Sequence, residues 1–219
     1  MPLVSNSLSL EETQKSICFK NTPMLEKVAV YLRSRVLPDS SPGCSNLMKF
    51  FHCIPSLQEL EIRGSLWEYL TVGGLPHNPP TALNNVKSLK MADMSFGDLK
   101  EVSVAVYLIT SCPKLQQLTI KCESVNNVVE AVVQFLQDQT CSGGVVKLLQ
   151  SVEMSHFTGT KMEMQFVRFI LASAPLLKEI FIWNFSYILQ SGRQMINEMK
   201  QYRRASPNVE FKFEAVEVE

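Results

Sequence analysis

The chain has 219 residues, 46% of them hydrophobic and 19% charged, and its 21 basic residues balance 21 acidic ones. That composition supports a folded core everywhere except the ends, and a balanced charge without any dense Lys/Arg cluster gives no reason to expect nucleic acid or an anionic membrane as partner. No apolar run reaches the ~18 residues of a membrane span, and residues 1–16 lack the basic start and apolar stretch of a secretory leader.

In chain order, residues 1–21 read as an N-terminal segment. Thr22-Pro23 then leads into Leu25, Val28 and Val30. A helical stripe of Leu47, Phe50, Phe51 and Ile54 follows, and Cys53-Ile54-Pro55 leads into Leu57, Leu60 and Ile62. The Gly/Pro-rich stretch from Thr71 to Ala82 reads as a surface loop. Val86, Leu89 and Met91 repeat the spacing without a proline. Ser95 with Asp98 signals a helix start, and Leu99, Val102, Val106 and Ile109 form the stripe of that helix. Ser111-Cys112-Pro113 leads into Leu115, Leu118 and Ile120, and Gln139 to Gly144 reads as a turn cluster. Leu149, Val152 and Met154 carry the phrase again. Thr160 with Glu163 predicts a capped helix striped by Met164, Val167, Ile170, Leu171 and Ala174, which runs into Ser173-Ala174-Pro175 and Leu177, Ile180, Ile182. Ser191 with Gln194 signals a last helix. Val209, Phe211 and Phe213 alternate with Glu210, Lys212 and Glu214 as a final strand, followed by an acidic tail that discourages further pairing.

The phrases begin at Leu25, Leu57, Val86, Leu115, Leu149 and Leu177, in steps of 32, 29, 29, 34 and 28 residues. Strand, turn and helix repeated at this period predict an α/β leucine-rich-repeat solenoid: an irregular horseshoe with parallel strands on its concave face and helices on its convex face. Residues 22–146 form the repeat region, and 147–219 continue the solenoid. The asparagine that ordinarily follows each strand is missing, its positions holding Arg33, Ser65, Met94, Glu123, Phe157 and Phe185, so uneven curvature is expected.

Alternation assigns the concave side chains, among them Glu59, Glu61, Arg63, Lys90, Thr119, Lys121, Glu153, Phe181 and Trp183. Ala92 falls on the same face by the same rule. These nine are the candidate partner-binding residues. Phe181 and Trp183 stand out as two outward aromatics on one strand, the pattern of an interface anchor. The alternative is that they pack beneath residues 184–190 or against the final helix.

Residue chemistry points away from catalysis. Cysteines at 18, 44, 53, 112, 122 and 141 form no C-x-x-C pair, and Cys53 and Cys112 fall inside the phrase as small, reduced core residues. His52, His77 and His156 share no metal-ligand spacing. Gly159-Thr160-Lys161 lacks the rest of a phosphate loop, which leaves Thr160 as a helix cap. Asn184-Phe185-Ser186 is a formal glycosylation sequon, irrelevant without secretion. No catalytic residue, metal or cofactor is expected.

The segment from Val152 to Ile182, with Phe157, Gly159, Thr160, Glu163, Phe169, Ile170, Leu171, Ser173, Pro175 and Leu177, followed by Arg204, Ala205, Ser206 and Pro207, resembles the FBD domain of plant F-box/FBD/leucine-rich-repeat proteins. The upstream phrases KNTPMLEKVAVYL and LITSCPKLQQLTIKCES resemble the repeat region of that family. The resemblance implies a protein-interaction role inside the cell, in cytoplasm or nucleus, as the substrate-recognition half of a receptor in an SCF-type ubiquitin ligase. Nothing before Thr22 resembles an F-box, so docking on a Skp-type adaptor is implied only if an F-box is restored. Loss of preceding repeats would also expose an apolar face and a strand edge, and self-association is the expected result. The alternative function is a ligase-independent scaffold or a horseshoe that cups a small ligand. A roomy aromatic pocket would favour the ligand, and a shallow polar arc would favour a protein.

Overall fold

The turn that opens each strand explains the recurring proline. In the computed structural model, which describes residues 7–12, 22–32, 45–52, 54–123, 127–142, 145–184 and 189–215, the first apolar residue of each phrase donates its backbone N–H to the carbonyl three residues back. Leu25 donates to Thr22, Leu57 to Ile54, Leu115 to Cys112 and Leu177 to Ala174. Pro23, Pro55, Pro113 and Pro175 therefore occupy the second position of a β-turn, where the φ fixed by the ring is already suitable. Val86 to Leu83 and Leu149 to Val146 close the same turn with Asn84 and Lys147 in place of proline. The turn recurs with or without the ring, so proline favours it without being required.

Among the described residues eight strands follow: β1 (Ser7–Glu12), β2 (Lys27–Leu32), β3 (Glu59–Gly64), β4 (Ser88–Ser95), β5 (Gln117–Glu123), β6 (Ser151–Ser155), β7 (Glu179–Asn184) and β8 (Glu210–Ala215). They lie in sequence order in one sheet, joined by seven parallel pairings. Parallel neighbours require a crossover. Most crossovers contain a helix: α1 (Asn46–Phe51), α2 (Leu66–Thr71), α3 (Leu99–Ser111), α4 (Glu130–Ser142), α5 (Lys161–Ser173) and α6 (Leu189–Gln201). This is the α/β repeat architecture expected from the spacing. It contains one strand more than the six phrases and the predicted final strand account for, because β1 pairs with β2 with Leu8 opposite Val28 and Leu10 opposite Val30. The position matching Leu25 is Ser5, which hides the phrase and leaves only the Ser-Leu-Ser-Leu alternation as a signal.

The core fills the space between sheet and helices in rows that cross the strands. Val28, Leu60, Leu89, Leu118, Val152 and Ile180 form one row, and Val30, Ile62, Met91, Ile120, Met154 and Ile182 the next, all buried. Each such side chain contributes about 1.5–3 kcal/mol of burial. One repeat alone could bury its row only by stacking on a neighbour. The turn position that ordinarily carries asparagine is filled here by fully buried Met94 and Phe157, so apolar packing replaces the usual polar ladder there. Arg33 and Phe185 lie outside the described residues, as do Cys53 and residues 185 and 186 of the sequon.

The helix signals are partly corrected. Leu47, Phe50, Phe51 and Ile54 are buried as the stripe requires, and so are Val102, Val106 and Ile109, but Leu99 is exposed at the first position of α3. Asp98 caps α3, its side chain accepting from the N–H groups of Lys100 and Glu101, while Ser95 is the last residue of β4. Helix α4 continues through Gln139–Ser142, where a turn was expected, and α6 starts at Leu189, so Ser191 lies within it and does not cap it. Thr160 and Glu163 do form the predicted capping box at α5.

A register shift between Ala92 and Met94 marks a bulge in β4, with Asp93 at φ 58°. The bulge gives the buried indole of Trp67 a partner, its Nε1–H donating to the Ala92 carbonyl at 2.8 Å. It also buries Ala92, which alternation alone had placed on the solvated face. Asp93 Oδ2 accepts from the N–H of Gly64 at 3.3 Å. Gly64 has φ +59°, and a side chain there would collide with the Leu32 carbonyl and the Tyr31 ring.

Candidate functional site: the exposed face of the sheet

Because successive side chains of a strand alternate between faces, the sheet surface away from the helices is a lattice, one strand apart in one direction and two residues apart in the other. Register fixes its tiers. Lys27, Glu59, Ser88, Gln117, Ser151, Glu179 and Glu210 lie along the first, and Ala29, Glu61, Lys90, Thr119, Glu153, Phe181 and Lys212 along the second. The third runs through Tyr31, Arg63, Lys121, Ser155, Trp183 and Glu214. All nine candidate partner-binding residues occupy positions on this face.

Ion pairs hold both ends of the lattice. Lys27 Nζ lies 2.6 Å from Glu59 Oε1, Arg63 Nε 2.7 Å from Glu61 Oε1, and Lys212 Nζ 2.6 Å from Glu179 Oε2. The acceptor on Glu179 raises the pKa of the Lys212 ammonium. Such exposed pairs add little stability, but they consume charge. Lys90, Lys121 and Glu153 have no ion-pair partner among the described residues.

Between the paired ends lies a shallow hollow of about 400 Å³ spanning β4 to β7, whose lining includes Lys90, Gln117, Thr119, Glu153, Phe181 and Trp183 together with Ser88, Ser151 and Glu179. Phe181 and Trp183 are half-buried with ring centroids 4.5 Å apart and planes inclined by 47°. Both line the hollow; residues 185–188, part of the segment expected as the alternative cover, lie outside the described part. The Trp183 Nε1–H is buried with no acceptor among the described residues.

A second hollow, of about 440 Å³, lies at the C-terminal rim of β2 to β5 and is strongly acidic, with Glu68, Asp93, Glu101 and Glu123 around Gly64 and Ser65. Burial pushes the Glu101 carboxyl up to about 7 against the lowering effect of the Ser95 N–H at 2.9 Å, and neighbouring Asp98, Glu123 and Glu68 add to the rise. Sequence reasoning missed this cluster, whose members come from four different elements with no shared motif. On the same rim His156, at φ 56°, has its pKa lowered by burial and by Lys121, with Asp93 opposing.

The remaining sequence candidates have structural surroundings. His52 and His77 are exposed. Cys112 is buried, which pushes its thiol up to about 12, and Cys122 is raised well above the ordinary thiol range by burial and by Glu163 beside it. Gly159, at φ +74°, faces Met195 of α6. Among the described residues no group of three His, Cys, Asp or Glu could hold a metal ion, and no helix is long and apolar enough to cross a membrane.

Residues 146–182 match the FBD family model. These residues span β6, α5 and most of β7, and so include Glu153, Phe181 and the capping box. The chain is also 26% identical over 209 residues to an F-box/FBD/LRR-repeat protein of Arabidopsis thaliana, a match covering 94% of this chain and 50% of the relative. The chain thus spans about half the length of the relative it matches. Taken with the parallel repeat sheet, the two matches make the chain similar to F-box/FBD/LRR-repeat proteins, with the FBD likeness confined to residues 146–182.

Proposed function

We propose that this chain recognises a protein through the exposed face of its sheet, as the substrate-binding part of an F-box-type ubiquitin-ligase receptor, and that it performs no catalysis itself. The observation that carries this reading is the lattice, a continuous polar surface with charges that have no ion-pair partner among the described residues and an aromatic pair on β7, in a chain similar to an F-box/FBD/LRR-repeat protein. A shallow, open hollow lined mostly by polar side chains suits a protein segment better than an enclosed small molecule. On this reading the protein works inside the cell, in cytoplasm or nucleus, where its cysteines stay reduced. Association with a Skp-type adaptor belongs to this reading only where an F-box accompanies the repeats.

Two comparisons test it. Proteins captured by the wild-type chain and by a chain carrying Lys90→Glu, Glu153→Lys and Trp183→Ala are quantified side by side, with Lys161→Glu on α5 as a control away from the sheet face. Partners lost with the triple substitution and kept with the control support the reading, whereas identical captures would refute it. Separately, the endogenous protein is precipitated and probed for a Skp-type adaptor. Its absence would remove the ligase half of the proposal and leave recognition standing.

A further inference from the structure

The central hollow is bipolar, and the two lining charges without an ion-pair partner among the described residues stand at fixed places. Lys90 is on β4 and Glu153 on β6, in the same tier and two strands apart. With neighbouring strands about 4.8 Å apart, the two positions are separated by roughly 10 Å. On β5, the strand between them, stand Thr119 in the same tier and Gln117 in the tier before it, which can both donate and accept hydrogen bonds. Glu153 is directly opposite Phe181 in register, and Trp183 follows two residues along β7. An unpaired carboxylate therefore adjoins two aromatic faces.

We propose that this hollow binds an extended peptide segment lying across β4 to β7, with an arginine of the partner over Glu153, Phe181 and Trp183 and an acidic residue of the partner over Lys90. The inference rests on the recognition reading above and specifies its partner chemistry. A guanidinium is planar, weakly hydrated for a cation and carried on an apolar stem, so it stacks on aromatic faces while its N–H groups reach a carboxylate. The other cations nearby do not pre-empt the site. Lys212, beside Phe181 on β8, is held by Glu179, and Lys121 lies one tier up, beside Ser155 and within the field of His156. Opposite charges at the two ends also set the direction in which the segment lies.

The test uses a random decapeptide library displayed on phage and selected against the full chain. Selected sequences are then synthesised with a fluorescent label and titrated by anisotropy, and circular dichroism verifies that each variant is folded. The expected pool pairs arginine with aspartate or glutamate, and its affinity falls at least about tenfold with Glu153→Lys and with Lys90→Glu, as reversal of a close charge pair requires. Exchanging the peptide's arginine for glutamate should restore binding to the Glu153→Lys chain. Peptides that resist both reversals but are lost with Trp183→Ala would overturn the bipolar chemistry while keeping recognition by this face. Peptides indifferent to all three substitutions would overturn both readings. Failure to enrich any pool would overturn the present inference and leave the recognition reading to its own test.

Discussion

Replacing Glu163 should unfold the FBD region more readily than replacing any other polar residue in it. The side chain is 1% exposed, and one carboxylate oxygen, Oε2, accepts from Thr160 N at 2.8 Å, Thr158 N at 3.2 Å, Thr158 Oγ1 at 3.0 Å and Thr160 Oγ1 at 3.1 Å. Alanine removes all four acceptor contacts. The two hydroxyls can rotate toward other acceptors, but the two backbone N–H groups cannot. An unsatisfied buried donor costs about 1–3 kcal/mol, and loss of the capping box adds to the penalty, so Glu163→Ala should destabilise by about 3–5 kcal/mol. Glu163→Gln keeps the volume and one carbonyl oxygen but loses the charge, and about half that effect is expected. Thr160→Ala removes only the hydroxyl and should cost about 1 kcal/mol. In urea, with a slope of about 2 kcal/mol per molar, the alanine midpoint should fall by roughly 2 M. Hydrogen exchange should quicken first in α5 and in β6 and β7, its neighbours in the stack. A destabilisation below about 1 kcal/mol for Glu163→Ala would refute the assignment of this carboxylate as the organiser of residues 158–163.

Glu101→Gln should stabilise the protein at pH 8 and have little effect at pH 4. The folded carboxyl titrates near 7 because of burial, above its ordinary value of 4.5, so the native state holds a proton that the unfolded chain releases as pH rises between those values. Wild-type stability therefore falls across that window, and a thermal-melt difference that does not grow with pH would contradict the cause given. Gly159→Ala should destabilise the chain, since the residue has φ +74° and the added methyl would strike the Met195 sulfur. Met195→Ala in the same chain should recover the steric part of the loss, and a fully additive double variant would disprove the contact. Lys121→Gln should raise the pKa of His156, read from its ring proton shifts in NMR, because Lys121 is the charge that lowers it. With a thiol reagent at pH 8, mass mapping should find exposed Cys141 modified while buried Cys112 and Cys122 stay intact until the chain is unfolded.

The repeat was legible in the sequence because its cause is local. A β-turn, a two-residue alternation and a helical stripe each leave a mark within a few residues, as Pro113, Leu118 with Ile120, and Val102 with Val106 show. The same locality accounts for the errors. β1 escaped notice because Ser5 stands where the phrase has its first apolar residue, and Asp98 was paired with the wrong cap because Ser95 still belongs to β4.

The sequence by itself determined which side chains line the exposed face wherever the strands are regular, since there alternation within a strand is enough to assign a face, and it failed at the β4 bulge. It also determined the candidate residues from Glu59 to Trp183, the capping box of α5 and the likeness to the FBD region. Only the tertiary structure decided which charges on that face are spent on one another. Lys212 cancels Glu179 and Arg63 cancels Glu61, leaving Lys90 and Glu153 available on either side of the hollow. It alone decided that the β4 bulge removes Ala92 from the surface and that four carboxylates from separate elements meet at the rim. Both outcomes depend on the register between strands tens of residues apart, and register is fixed by the packing of whole rows, beyond the reach of any single phrase.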